Sequence, residues 1–273
     1  MSKAFALGGK VAVVTGAASG IGRAVSISLA KRGCHLALAD LNEAGLEETA
    51  RHVGNGVRVT RHRLDVADRA AVAAFPAEVT AAHGHVDIVV NNAGVALGGL
   101  FEQASEADFD WLMSINFDGV VQMTRAFLPH LKARPEAQLV NLSSLFGLIA
   151  PPGQTAYSAA KFAVRGFSEA LRNELLYARS NVGVTVVHPG GVATNISKAA
   201  RVARSVGEEQ KKRLQARFDR ALKMPPGPAG EIIVKAIERR AARVLVGNDA
   251  KFAATIERLM PVRYWWLLGR AMA

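Results

Sequence analysis

The chain has 273 residues, 50% hydrophobic and 21% charged, which fits a folded globular protein with a sizeable core and excludes a disordered one. Its net charge of +11 raises nucleic acid as a partner, but +6 of it falls between Lys198 and Lys223, where Phe218 is the single aromatic. The basic and aromatic interleaving of a single-strand platform is therefore missing, and no nucleic-acid partner is expected. That segment reads first as a solvated helical face, with attraction to anionic substrates or an anionic membrane surface as alternatives.

In chain order, apolar runs alternate with helical patterns, the signature of a parallel sheet with crossover helices. Strands are predicted at Lys10–Thr15, Leu36–Ala39, Val57–Arg63, Val86–Val90, Gln138–Leu142, Val182–Val187 and Val244–Val246. Helices are predicted at Gly20–Arg32, Asn42–His52, Asp68–His83, Glu106–Lys132, Ala156–Tyr177 and Ala229–Arg240, with an irregular helical region over Ile196–Leu222. No internal repeat or linker divides the chain. The fold class predicted is α/β: one doubly wound Rossmann domain over 1–247, with a seven-stranded, mostly parallel sheet and helices on both faces, and 248–273 as its C-terminal helical extension.

The single cysteine, Cys34, excludes an intrachain disulfide and lies at the start of an apolar run, so it is expected to be a buried, inert thiol. The N-terminal apolar stretch is broken by Gly8, Gly9 and Lys10, and no run approaches the roughly 18 residues of a spanning helix. A soluble, cytoplasmic protein is expected, with no metal site.

Thr15-Gly16-Ala17-Ala18-Ser19-Gly20-Ile21-Gly22 directly follows the first strand and opens the first helix, the context of a phosphate-binding turn. Asp40 ends the second strand, where a carboxylate accepts hydrogen bonds from an adenosine ribose and repels the extra phosphate of NADP. NAD is therefore expected over NADP. Arg23 and Asn42 complicate that preference, and a helix N-cap is the alternative role for Asp40. Tyr157 and Lys161 lie four apart, on one face of a helix, where an ammonium can lower a phenol's pKa. Alone, such a pair reads first as an exposed pair on a solvated helix face.

Taken together, these residues resemble the short-chain dehydrogenase/reductase family from about Lys10 to Thr194, with weaker continuity to about Gly247. The turn is similar to that family's TGxxxGIG, Leu64-Asp65-Val66 to its adenine-pocket element, Asn91-Asn92-Ala93-Gly94 to its NNAG and Pro189-Gly190-Gly191-Val192-Ala193-Thr194 to its PGxVxT. The resemblance implies cofactor contacts at Gly16, Ser19, Gly20, Ile21, Gly22, Asp40, Leu41, Asp65, Val66, Asn92, Ala93, Gly94, Tyr157, Lys161, Pro189, Gly190, Val192 and Thr194.

It also implies a catalytic tetrad of Asn116, Ser144, Tyr157 and Lys161, with Ser143 the rival serine, and hydride transfer between a nicotinamide and a carbon bearing oxygen. Asn116 is expected to hold a water connecting Lys161 to solvent. By resemblance 195–223 forms the substrate lid, and the helices carrying Asn116 and Tyr157 make a homodimer or homotetramer. The apolar residues after the NNAG turn and after Ser144 suggest apolar secondary alcohols and their ketones as substrates. An NADP-dependent ketone reductase, and a non-catalytic nucleotide-sensing or membrane-surface protein, are the alternatives. Trp265 and Trp266, with arginines on either side, leave three roles open for the C-terminal segment: a membrane interface, a subunit contact or packing on its own domain.

Overall fold

The computed structural model describes the backbone of residues 4–196, 199–203 and 206–272. Seven strands form one sheet: β1 (Val11–Thr15), β2 (His35–Asp40), β3 (Val59–Arg63), β4 (Ile88–Asn91), β6 (Ala137–Leu142), β7 (Val182–Pro189) and β9 (Arg243–Val246). Their order is β3-β2-β1-β4-β6-β7-β9 and every pairing is parallel. The prediction of a mostly parallel sheet is thus met by one parallel throughout. A separate pair, β5 (Leu97–Gly98) and β8 (Arg201–Val202), was not predicted.

Alternate residues of each strand feed two cores, because successive side chains point to opposite faces. Val14, Leu38, Ile88 and Val140 pack against α1 (Gly20–Ala30), α2 (Glu43–Val53) and α8 (Pro226–Glu238) through Leu29, Leu46 and Ile233. Val13, Ala37, Val89 and Leu139 pack against α3 (Arg69–His83), α5 (Gly119–Lys132) and α6 (Thr155–Tyr177) through Phe75, Phe127 and Leu175. Cys34 is fully buried, and burial pushes its thiol up to about 12, so it is inert as expected.

Two helical expectations are refined. The stretch predicted as one helix over Glu106–Lys132 is α4 (Glu106–Met113) and α5 joined by a π turn at Ser114–Asp118. The segment expected to form the lid contains α7 (Glu208–Ala221), preceded by β8 instead of continuous irregular helix. β8 pairs with β5, and the Arg201 guanidinium stacks on Trp111 at 3.6 Å from the ring centre. Of the basic residues expected in the lid, Lys198 and Arg204 lie outside the described residues. The C-terminal segment forms α9 (Asn248–Leu259) and α10 (Tyr264–Met272).

Candidate active site

A cavity of about 830 Å3 opens at the carboxyl ends of the strands, where a doubly wound sheet leaves a crevice. At one end Gly16 turns the chain at φ 64°, and a Cβ there would lie 2.7 Å from Asn92 Nδ2. A Cβ on Gly22 would lie 2.1 Å from the Gly16 carbonyl oxygen, so only glycine lets the turn close on α1. Ser19, at the helix N-cap, makes no side-chain capping bond, and no acid occupies the first turn of α1. Those backbone donors and the positive end of the helix suit a pyrophosphate.

Asp40 lines the same cavity. Its Oδ2 accepts from the Ala18 amide at 3.1 Å and its Oδ1 from the Asn42 amide at 3.0 Å, while Asn42 itself caps α2. The N-cap alternative for Asp40 therefore fails. Arg23 turns away toward α2, donating to Glu48 at 2.8 Å and to Thr49 at 3.0 Å. Asn92 Nδ2 donates to the carbonyls of both Thr15 and Gly16, at 3.0 and 3.1 Å. The glycine cradle, the uncapped helix end and the carboxylate fit a dinucleotide.

At the other end stand Ser144, Tyr157 and Lys161. The serines part company here. Ser143 Oγ donates to the Lys161 carbonyl at 2.8 Å, whereas Ser144 Oγ accepts from the Phe146 amide at 3.1 Å and hydrogen-bonds Tyr157. The Lys161 ammonium lies 5.6 Å from the Tyr157 ring centre and donates to the Leu142 carbonyl at 3.0 Å. Burial lowers Lys161 to about 8. Burial raises the Tyr157 phenol above its ordinary value, with the Ser144 bond pulling it partly back. The expected lowering of this phenol by Lys161 is thus corrected for the site as it stands: burial dominates, and the Ser144 hydrogen bond is what offsets it.

Of the expected residues, Gly16, Ser19, Gly20, Ile21, Asp40, Asn92, Ala93, Gly94, Ser144, Tyr157, Lys161, Pro189, Gly190, Val192 and Thr194 line this one cavity. Gly22, Leu41, Asp65, Val66 and Asn116 do not. Asn116 sits in the π turn, fully buried, accepting from the Val95 amide at 2.8 Å and donating to the Val95 carbonyl at 2.9 Å. Asp65 Oδ1 accepts from the Ala67 amide at 2.9 Å, and Asp68 caps α3.

Several residues were missed. His188 Nδ1 lies 2.9 Å from the Ser144 carbonyl, and burial lowers the ring to about 4. It is therefore neutral near pH 7, and its Nδ1–H donates to that carbonyl, fixing the backbone of Ser144. Asp249 Oδ2 accepts from the Gly191 amide at 2.6 Å, tying α9 to the loop after β7. Phe252 and Leu268 add apolar lining from the C-terminal helices, Leu268 packing together with Leu145, Phe146 and Ile149. The Ala150 amide donates to Tyr264 Oη at 3.0 Å, so the inner side of α10 packs on its own domain.

A parallel sheet whose crevice runs from a glycine turn to a tyrosine and lysine on one helix face defines an NAD(P)-dependent oxidoreductase. Residues 10–205 match the family model for short chain dehydrogenase. SadH of Mycobacterium tuberculosis, which bears the name of an oxidoreductase, is 46% identical over 267 residues, covering 97% of this chain and 96% of its own. The oxidoreductase UcpA of Escherichia coli is 36% identical over 220 residues, covering 80% and 82%. A short-chain dehydrogenase/reductase from Burkholderia phymatum, solved in complex with NAD, superposes with a TM-score of 0.87 at 31% identity, covering 93% and 95%. The chain belongs to the short-chain dehydrogenase/reductase family.

Proposed function

We propose that the protein uses NAD to interconvert an apolar secondary alcohol and its ketone, with Tyr157 as general acid and base. The observation that carries this reading is that Ser144, Tyr157 and Lys161 meet at one end of a cavity whose other end holds the Asp40 carboxylate. A bound nicotinamide supplies or accepts the hydride. Tyr157 Oη takes the substrate hydroxyl proton in oxidation and returns it to the oxygen in reduction. Ser144 Oγ donates to the substrate oxygen as charge develops there, and His188 holds the serine backbone for that task. Lys161 supplies positive charge behind the phenol and holds the nicotinamide ribose. Asp65 and Val66 are assigned to the adenine edge, and Gly22 and Leu41 support the turn and ribose pocket from outside the cavity lining.

NAD is favoured because Asp40 would repel a further phosphate while Arg23 is engaged with Glu48. One observation favours the NADP reading: exposed Arg63 is the register partner of Asp40. Leu145, Phe146, Ile149, Phe252 and Leu268 favour an apolar substrate. A homo-oligomer through α5 and α6 is proposed as well, supported by the exposed Phe162, Leu176 and Tyr177 of α6. Initial rates over a panel of secondary alcohols, with NAD and then NADP, test the proposal. Turnover restricted to small charged acids, or faster with NADP, would contradict it.

A further inference from the structure

The C-terminal helices have two sides. Inward, Ala253, Leu268, Tyr264 and Trp265 pack on Ile149 and Phe146, closing one wall of the cavity. Outward, Leu259, Val262, Trp266 and Leu267 are exposed, at 73%, 88%, 60% and 38%, and Phe252, 58% exposed, is at once surface and cavity lining. Solvent-facing apolar side chains are common singly, but these five large ones fall within 16 residues, in a segment that reaches the cavity through Phe252.

Basic residues accompany them: Arg220 and Lys223 line the cavity, and Lys251, Arg258 and Arg263 lie in the C-terminal segment. Residues 198–223 and 248–273 contribute +6 and +2 of the net +11, and both segments supply cavity-lining residues. A second copy docked face to face would bring these like charges together, whereas an anionic bilayer complements them. Among the described residues no helix is long and apolar enough to cross a membrane. A tryptophan and leucine on the outer side of a short helix, in a segment that carries Lys251, Arg258 and Arg263, match an interfacial helix lying in the headgroup plane.

We infer that the outer side of the segment 252–267 docks on an anionic lipid surface, with the cavity mouth toward the bilayer, so that the enzyme draws a lipid-dissolved alcohol or ketone from the membrane. The substrate half of this inference rests on the apolar-alcohol reading above. The docking half does not, and it is measured without turnover.

The test is sedimentation of the full chain with vesicles of phosphatidylcholine alone, or with about a third phosphatidylglycerol, at rising salt. The expected result is binding to the anionic vesicles only, weakened by salt, and reduced about tenfold in a Trp266→Ser, Leu267→Ser double variant. That variant should keep wild-type turnover of a water-soluble secondary alcohol, because neither residue lines the cavity. Tryptophan quenching by brominated acyl chains in the unaltered protein provides a reading that needs no variant. No sedimentation, equal sedimentation of variant and wild type, or a concentration-dependent dimer that the variant abolishes would each overturn docking; the last would assign this face to a second copy.

Discussion

Ser143 and Ser144 are adjacent in sequence yet face opposite duties: Ser143 Oγ is held by the Lys161 carbonyl at 2.8 Å, while Ser144 Oγ reaches Tyr157. Ser144→Ala is expected to keep the fold and lower kcat by about 100-fold to 1,000-fold, the usual cost of one oxyanion donor. Ser143→Ala is expected to cost about 1 kcal/mol of stability, through a lost buried hydrogen bond, and to retain most activity. Steady-state kinetics and urea unfolding of the two variants decide between the serines; the reverse pattern would exchange their roles.

Tyr157→Phe removes one oxygen from a partly buried ring that also makes an edge contact with Phe146 at 6.2 Å between centres. The ring should stay where it is, so NAD affinity by calorimetry should change less than about threefold while turnover falls by about 100-fold or more. Near-normal turnover would remove Tyr157 from its proposed role.

Lys161 carries a pH signature. Its folded-state value is about 8, against an ordinary 10.5, because it is buried. Below about pH 8 both folded and unfolded chains hold the proton, and burying that charge opposes folding. Between about 8 and 10.5 the unfolded lysine keeps a proton that the folded one has shed, so stability rises with pH across this window. Relative to Lys161→Met, the wild type should gain up to about 3 kcal/mol over the window. A constant difference in unfolding free energy between pH 7 and pH 10 would refute the assignment.

Asp40→Ala removes the only carboxylate that lines the glycine-turn end of the cavity among the described residues, the end proposed to hold the adenosine ribose. The ratio of kcat/KM for NADP to that for NAD should rise by about tenfold or more, corresponding to at least about 1.4 kcal/mol of relieved repulsion and lost ribose bonding. An unchanged ratio would show that Asp40 does not set cofactor choice.

Asp249→Ala should release the Gly191 amide that it accepts from at 2.6 Å. Because Gly191 lies within Pro189–Thr194, the expected effect is a several-fold rise in KM for NAD, with kcat less affected. An unchanged KM would show that the Asp249 bond to Gly191 has no bearing on the cofactor.

The sheet could be read from the chain because strands buried on both faces are written as short runs rich in β-branched residues, such as Val86-Asp87-Ile88-Val89-Val90. The cofactor turn and the Tyr157 and Lys161 pair were legible because each is a local pattern with a fixed spacing. The π turn at Asn116 was not, since one extra backbone residue leaves the apolar period of Glu106–Lys132 nearly intact. β5 and β8 are two residues each and 104 positions apart between Leu97 and Arg201, too short to leave an alternation. Asp249, Phe252 and Leu268 reach the cavity only through tertiary packing, and no local signal in α9 or α10 points there. His188 was hidden for the same reason, its partner being a backbone carbonyl 44 residues earlier.

The amide nitrogen of Asn92, shared between the carbonyls of Thr15 and Gly16, fastens the chain after β4 to the chain after β1. A shift of either crossover start is thereby transmitted to the other at its first residue. Substitutions that retune one of these two stretches must be tolerated by its neighbour as well, so they are free to drift in sequence only as a couple.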